Sequence, residues 1–398
     1  MKTLKQFYFL SHFFLIPIIF SCCNDDDPQE EIQVISPTAN FAFNLEVANV
    51  GESVMFTDTS IPGTGTIDSW NWTFTGGTPS TSNEQNPTVI FNSKGEFSVS
   101  LIITANDGAT SNTSQNILAV EGCPIYDCEK FLVDVEMDIV YGISNNLHLM
   151  NIYKPKGDLR STKPAILING GGQYEGSDLS VLDPLAKRLA SYGFVVATAR
   201  YRNGVQNGTA NLLRGMVDSK AAVRFLRANA SSYGIDPKQI FAGGWASGAY
   251  NALVHTYWQE EDVPTPILDG VINAGMITNW EGVQGNPEIS SDVLGVVNLG
   301  GSIFGTEEAF GDDLYITAND LPMFAVHGEL DNETPCNALE LETGNWEFGS
   351  CVIHSRLQSL GILSELTVIA NGAHEAPRLS ENIDNYLPSL VDFLFNNL

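Results

Sequence analysis

Residues 239–253 read Gln239-Ile240-Phe241-Ala242-Gly243-Gly244-Trp245-Ala246-Ser247-Gly248-Ala249-Tyr250-Asn251-Ala252-Leu253. A short apolar strand over 240–242 runs into glycines and then into a helix-like stretch. This strand-turn-helix has the shape of a nucleophile elbow, a strained turn that lifts one side chain above the end of a sheet. Such a turn demands small residues two places before and two places after that side chain. Gly244 and Gly248 meet the demand, and the residue they bracket is Ala246. The serine comes one place late, at Ser247. Were Ser247 at the tip, Trp245 and Ala249 would fill the tight positions, and an indole does not fit there. The stretch is an elbow with alanine where an attacking oxygen is expected.

The flanking sequence has the rhythm of a buried parallel sheet. Residues 165–168 (Ala-Ile-Leu-Ile) and 194–197 (Phe-Val-Val-Ala) are unbroken apolar runs, as in strands covered on both faces. Strand-like runs at 137–141 and 148–153 precede them, and helical periodicity follows over 182–192 and 216–230. The alternation predicts an α/β fold with a doubly wound, mostly parallel sheet. Three further loops each follow an apolar run. The first is Asn169-Gly170-Gly171-Gly172, continued by Gly176-Ser177. The second, after 321–326, is His327-Gly328-Glu329-Leu330-Asp331-Asn332-Glu333-Thr334-Pro335. The third, after 365–369, is Ala370-Asn371-Gly372-Ala373-His374-Glu375-Ala376-Pro377.

With these motifs, the chain from about residue 135 to 398 resembles the α/β-hydrolase superfamily, specifically its esterase/lipase branch with a glycine-rich oxyanion loop. The resemblance implies that Gly171 and Gly172, with the N–H of Ser247, donate to a developing oxyanion, since glycines let backbone approach it closely. Asn169 stands where the family carries histidine. Asp331 matches the aspartate that orients the catalytic histidine, and His374 falls on the loop where the family keeps its general base. His327 corresponds to a structural loop residue. The order elbow, Asp331, His374 is that of the α/β-hydrolases. The remaining histidines lie elsewhere: His12 near the start, His148 before the glycine loop, His255 in the elbow helix and His354 in a helical stretch.

Only the nucleophile is out of place, and two readings stay open. In one, the domain is a carboxylic ester hydrolase in which Ser247 replaces the usual serine beside Ala246. In the other, it is a catalytically inactive relative that binds an ester or glycan, because losing the nucleophile lowers kcat by about 10⁶-fold in serine proteases. Trp245, Tyr174 and Trp280 are candidates for pocket walls or for plain packing. No metal or organic cofactor is implied.

Residues 37–121 change pattern. Short alternating segments, such as Ser53-Val54-Met55-Phe56-Thr57, are separated by Gly, Pro, Asn and Asp turns, which predicts a small all-β, immunoglobulin-like sandwich. Gly51-Glu52-Ser53-Val54-Met55-Phe56-Thr57-Asp58-Thr59-Ser60, Trp70-Asn71-Trp72-Thr73-Phe74-Thr75-Gly76-Gly77, Asn86-Pro87-Thr88-Val89 and Gly95-Glu96-Phe97 resemble the PKD family. The resemblance implies a spacer or weak adhesion module. Trp70 and Trp72, two apart, share one face of a strand and are expected in its core. Residues 122–130 form a linker, and 131–398 the hydrolase-like domain.

Two lysines, then an almost wholly apolar stretch over 7–20, open the chain. About 14 residues is short of the roughly 20 that span a membrane but suits a secretory leader. Ile19-Phe20-Ser21-Cys22 resembles a bacterial lipobox, and Asn24-Asp25-Asp26-Asp27 resembles the export tag of Bacteroidetes-type surface lipoproteins. Residues 1–21 are therefore expected to be a signal peptide, Cys22 the lipidated residue, and 22–36 an acidic tether. This places the protein on the outer membrane or cell surface, touching the membrane only through the lipid anchor. With 47 acidic and 19 basic side chains the formal net charge is −28, which repels nucleic acid. The partner expected is a small-molecule or polysaccharide ester. The six cysteines suit an oxidising compartment, and Cys123–Cys128 and Cys336–Cys351 are expected to pair. Replacing Cys22 by alanine should move the mature protein from the outer-membrane fraction to the soluble one. Unmodified wild-type protein in the periplasm would end this reading.

Overall fold

The computed structural model describes residues 34–143, 147–172, 178–202, 208–263, 265–275, 277–305, 314–341 and 346–398. The expected leader, Cys22 and most of the tether lie outside the described residues, as do Tyr174, Gly176 and Ser177.

The N-terminal unit is a sandwich of two sheets. One has the order Phe41–Phe43, Ser53–Asp58, Thr88–Phe91, Gly77–Thr78; the other runs Val47–Asn49, Thr110–Val120, Gly95–Ala105, Ile67–Phe74, Thr81–Ser82. Alternation along each strand sends one side chain in two to the shared core. Val54 and Phe56 are buried between exposed Ser53, Met55 and Thr57. Trp72 is fully buried, lies parallel to Phe74, and donates its indole N–H to Glu84 O at 2.9 Å. Trp70 packs beside the same core and donates to Asp58 Oδ2 at 2.7 Å. Both indoles are therefore packing residues. In the linker Cys123 and Cys128 are disulfide-bonded, and Lys130 reaches back to Cys123 O at 2.9 Å.

The second unit is built on eight strands. Their spatial order is Leu132–Val140, Leu149–Lys156, Val195–Ala199, Lys163–Asn169, Ile235–Trp245, Val296–Leu299, Met323–Gly328 and Ser364–Ile369. Leu149–Lys156 runs antiparallel to both of its neighbours, Leu132–Val140 and Val195–Ala199. The six strands from Val195–Ala199 to Ser364–Ile369 are mutually parallel. The period of two assigns each strand's side chains to opposite faces. Ile166, Ile168, Val196, Phe241, Val297, Phe324 and Val326 pack under helices Asp183–Tyr192 and Ser380–Asn396. Ala165, Leu167, Val195, Ala197 and Ile240 meet Gly208–Ala228, and Ala242, Val296, Met323 and Ala325 meet Ser247–Tyr257 and Ser350–Ser359. Every fully buried aliphatic or phenyl side chain contributes roughly 1.5–3 kcal/mol, so both faces must be covered for the sheet to stand.

The elements depart from the sequence expectation mainly at their ends. The elbow strand is Ile235–Trp245 rather than 240–242: Ile235 already pairs with Lys163, and the polar stretch Asp236-Pro237-Lys238-Gln239 is the irregularity between that pair and the pairing of Ala165 with Ile240. The helix expected from 216 begins at Gly208, in a polar turn without apolar periodicity. A three-stranded side sheet, Ser302–Gly305, Trp346–Gly349 and Ala338–Glu340, had no counterpart in the sequence reading.

The sheet and elbow meet at one close crossing. A Cβ on Gly248 would lie 2.2 Å from Asn169 O and 2.5 Å from Gly170 O, and one on Gly244 would lie 2.2 Å from the Gly248 carbonyl carbon. No backbone can yield that much, so alanine at either place forces the turn apart. Gly248→Ala should destabilise the domain by about 1–3 kcal/mol or more, several degrees of Tm. Gly270→Ala is the control. Gly270 lies on the exposed side of helix Thr265–Asn273, where a Cβ meets nothing within 4 Å, so this change should leave Tm unchanged or raise it. Thermal unfolding of both variants checks the contrast.

Candidate active site

The chain leaves strand Ile235–Trp245, passes through Ala246, and enters helix Ser247–Tyr257. Ala246 has φ 51° and ψ −125°. A positive φ strains any residue with a Cβ, by about 1–3 kcal/mol, and persists only where the surroundings over-determine it. Here the Ala246 N–H donates to Leu299 O at 3.0 Å, and its carbonyl accepts from Ala249 at 2.9 Å and Tyr250 at 3.2 Å. The position bracketed by Gly244 and Gly248 is therefore the strained tip of the turn, and its side chain is a buried methyl group.

Ser247 is the first residue of the helix, and its side chain is turned to another partner. Its Oγ lies 2.8 Å from the Tyr201 hydroxyl, and both groups are buried. Burial raises the Tyr201 pKa, which its bonds to Ser247 and Asn251 only partly offset, so the phenol stays protonated. Sequence reasoning missed Tyr201. Its one legible signal was position, just beyond the carboxyl end of strand Val195–Ala199, where α/β sheets gather ligand-facing residues.

Asp331 and His374 come from the loops after strands Met323–Gly328 and Ser364–Ile369, and they meet: His374 Nδ1 donates to Asp331 Oδ2 at 2.8 Å. The other carboxylate oxygen accepts backbone N–H groups of Glu333 at 3.0 Å and Thr334 at 2.8 Å. Burial works to raise the Asp331 pKa, but the hydrogen bonds from His374 and Thr334 and the His374 charge hold it below the usual carboxylate value. For His374, burial favours the neutral ring; the hydrogen bond and charge of Asp331, with Glu333 and Glu375 behind it, outweigh that and raise its pKa above 6.5. With Nδ1–H engaged, the neutral imidazole carries its lone pair on Nε2. His327 has a different job. Its Nε2 donates to Thr334 O at 2.6 Å and its Nδ1 faces Ser350 Oγ at 2.7 Å, and burial lowers its pKa, so it is a neutral brace beneath the acid loop. The Cys336–Cys351 disulfide closes the segment that follows Asp331, and Cys351 N–H also donates to Cys336 O at 2.8 Å.

Trp245 joins these loops to the turn. Its indole N–H donates to His374 O at 3.4 Å, and the two rings lie 5.5 Å apart at 39°. The Arg378 guanidinium sits 4.7 Å from the indole centre. On the glycine loop, a Cβ on Gly171 would lie 2.4 Å from Trp245 Cε3, so only glycine lets that loop rest on the indole. Gly172 follows with φ 132°, again a glycine conformation. Asn169 does not face the turn. Fully buried, it donates from Nδ2 to Ser219 Oγ at 3.0 Å and Gly243 O at 3.1 Å, pinning the glycine loop to its neighbours. Trp280, the other candidate wall, lines a cavity at the far end of the sheet.

Residues 150–341 match the BD-FAE family and residues 35–120 the PKD domain family. Gut esterase 1 of Caenorhabditis elegans is 38% identical over 109 residues, covering 25% of this chain and 19% of that protein. "Probable carboxylic ester hydrolase LipM" of Mycobacterium tuberculosis is 31% identical over 119 residues, covering 29% of this chain and 27% of that protein. The chain thus spans about a fifth to a quarter of the length of these curated relatives. Among solved structures, the native Est2 esterase of Thermogutta terrifontis has the same fold, with a TM-score of 0.51 at 20% identity over 66% of this chain and 92% of that chain. The chain therefore joins a PKD domain to an esterase-like domain of the α/β-hydrolase fold.

Proposed function

We propose that this domain receives a carboxylic ester over Ala246, with His374 as the base, Asp331 as its orienting acid, and the backbone N–H groups of Gly171, Gly172 and Ser247 as donors to the carbonyl oxygen. The observation that carries the reading is the His374–Asp331 hydrogen bond of 2.8 Å on loops that Trp245 ties to the turn at Ala246. The first N–H groups of a helix have no intrahelical acceptor and favour negative charge, which supports the donor role of Ser247.

The same geometry favours the binding reading over the hydrolytic one. An attacking oxygen must present itself to the base, and the Ser247 hydroxyl is held by Tyr201. The natural protein is then an ester-binding relative of the esterases, with hydrolysis through Ser247 as the competing reading. Acylated polysaccharide is the ligand class we infer. The lipobox-like Cys22 and the PKD unit support a surface location for it, with that unit as spacer.

Restoring a hydroxyl at the tip distinguishes the two. In Ala246→Ser the new Oγ attacks the ester carbonyl while His374 Nε2 takes its proton. The alcohol leaves carrying that proton, and water then releases the acid. Ala246→Ser should raise hydrolysis of short activated esters by several orders of magnitude, up to the roughly 10⁶-fold that a missing nucleophile removes. If the wild type already turns over and Ser247→Ala abolishes it in a folded protein, Ser247 is the nucleophile and the binding reading falls.

The pH profile of the Ala246→Ser variant is set by His374. The base must be neutral, so activity should be low in acid, rise through an inflection above pH 6.5, and then level off. Adding Asp331→Asn removes the partner that raises this pKa and leaves burial, which lowers it. The inflection should move down while kcat falls by up to about 10⁴-fold, as in proteases. An inflection that Asp331→Asn leaves in place would exclude His374 as the base.

A further inference from the structure

The three-stranded side sheet carries a buried carboxylate that the ester reading leaves without a task. Glu347 lies on its middle strand, Trp346–Gly349, and is only 5% exposed. Its Oε1 accepts from the Ser302 hydroxyl at 2.6 Å and from the Tyr250 hydroxyl. Burying a carboxylate is unfavourable unless such donors compensate it, and an apolar side chain between Trp346 and Phe348 would avoid the problem altogether. The strand that holds Glu347 is pressed against the acid loop. A Cβ on Gly349 would lie 1.9 Å from Pro335 O and 2.6 Å from Cys336 O, so side sheet and loop meet backbone to backbone just beyond Thr334.

The hydrogen bonds here have a fixed direction. A carboxylate accepts and does not donate, so Tyr250 spends its one hydroxyl proton on Glu347. Burial and the Glu347 charge push the Tyr250 pKa up, which keeps that proton on the phenol. The Tyr250 oxygen also lies 2.9 Å from Thr334 Oγ1, and in this contact Thr334 has to be the donor. Thr334 is buried and held at three points: its hydroxyl by Tyr250, its carbonyl by His327 Nε2 at 2.6 Å, and its N–H by Asp331 Oδ1 at 2.8 Å. Asp331 Oδ2 in turn accepts from His374 Nδ1. An unbroken series of contacts therefore leads from Glu347 through Tyr250, Thr334 and Asp331 to His374.

Tyr250 has a second connection. Its backbone N–H donates to Ala246 O at 3.2 Å, one turn back along the elbow helix. A single residue is thus bonded to the tip of the turn at its backbone and to the acid loop at its hydroxyl. Trp245 makes the matching tie on the other face of the sheet, to His374 O. We propose that Tyr250 and Glu347 are positioning residues: Glu347 aims the Tyr250 hydroxyl, and Tyr250 holds Thr334 and Asp331 so that the His374 ring stays in register with Ala246. This rests on the reading of His374 and Asp331 as base and acid, but it requires no ester to be turned over.

The test is an NMR titration of His374 in the full chain, its resonance assigned by its loss in His374→Gln. The charged groups around this ring are Asp331, Glu333 and Glu375, with neutral His327 beside Asp331 and Arg378 beyond Trp245. Tyr250→Phe and Thr334→Val alter none of them; each removes one hydroxyl. Asp331 is what raises the His374 pKa, so a loosened Asp331 should let it fall, by up to about one unit, the equivalent of one hydrogen bond. Thr334→Ser keeps the hydroxyl and should keep the wild-type value. Glu347→Leu frees the Tyr250 hydroxyl to turn and should act like Tyr250→Phe. Thermal unfolding identifies the variants that fold, and the Thr334 pair decides alone if Tyr250→Phe does not. An unchanged His374 pKa in folded Tyr250→Phe or Thr334→Val would overturn the proposal. So would a fall in Thr334→Ser as large as in Thr334→Val, which would assign the effect to packing. Asp331→Asn separates this from the underlying reading: a His374 pKa that Asp331→Asn leaves in place rejects the acid–base pair itself.

Discussion

The hydrolase-like unit depends on how closely two pieces of backbone can pass. At Gly248 the elbow helix lies against the carbonyls of Asn169 and Gly170, leaving no room for a single added carbon. That contact sets the start of helix Ser247–Tyr257 beside the glycine loop, so helix N–H groups and loop face the same small volume. Trp245 sits where three loops converge, and its contacts with Gly171, His374 and Arg378 transmit the placement to the His374 ring. The site is an outcome of backbone proximity first and of side-chain chemistry second.

Electrostatics then sorts three of the four buried histidines into separate tasks. His374 has an ionised neighbour and keeps a basic ring. His327 lies only 3.5 Å from the same carboxylate oxygen, yet its Nε2 proton is committed to Thr334 O, and burial keeps it neutral. His255 is braced between Ser219 and Ser291 without a carboxylate partner. What separates them is which atom receives the ring proton. Where no carboxylate takes it, desolvation decides, and the ring stays uncharged.

The sheet was legible because buried parallel strands impose unbroken apolar runs, and the loops beyond them carried glycines, Asp331 and His374 in recognisable settings. Both disulfides could also be anticipated, since each pair brackets a short segment. Less could be read where function depends on side chains meeting across the fold. Tyr201 lies 46 residues from Ser247, and nothing local links them. Trp280 was noticed for its aromaticity, but its depth in the fold, at the amino edge of the strands, depends on how Arg224 and Lys220 grip the segment around it. Arg224 holds the carbonyls of Glu281, Gln284 and Gly285, and Lys220 holds the Glu281 carboxylate. Element ends were hard for the same reason: polar residues such as Asp236 fall in the irregularity between two paired positions, Ile235 with Lys163 and Ile240 with Ala165, which leaves no hydrophobic trace.

Ala246 combines the strained backbone of the turn's tip with a side chain that carries no oxygen. Its φ and ψ are imposed by Leu299, Ala249, Tyr250 and the two glycines, none of which senses what lies beyond the Cβ. The strain therefore belongs to the scaffold, and selection on catalysis is not needed to maintain it. A lineage carrying such a mould can lose or regain chemistry by exchanging one side chain while the fold stays in the same place. In evolutionary terms the turn is a reversible position, one codon change from a hydroxyl, held open by packing alone.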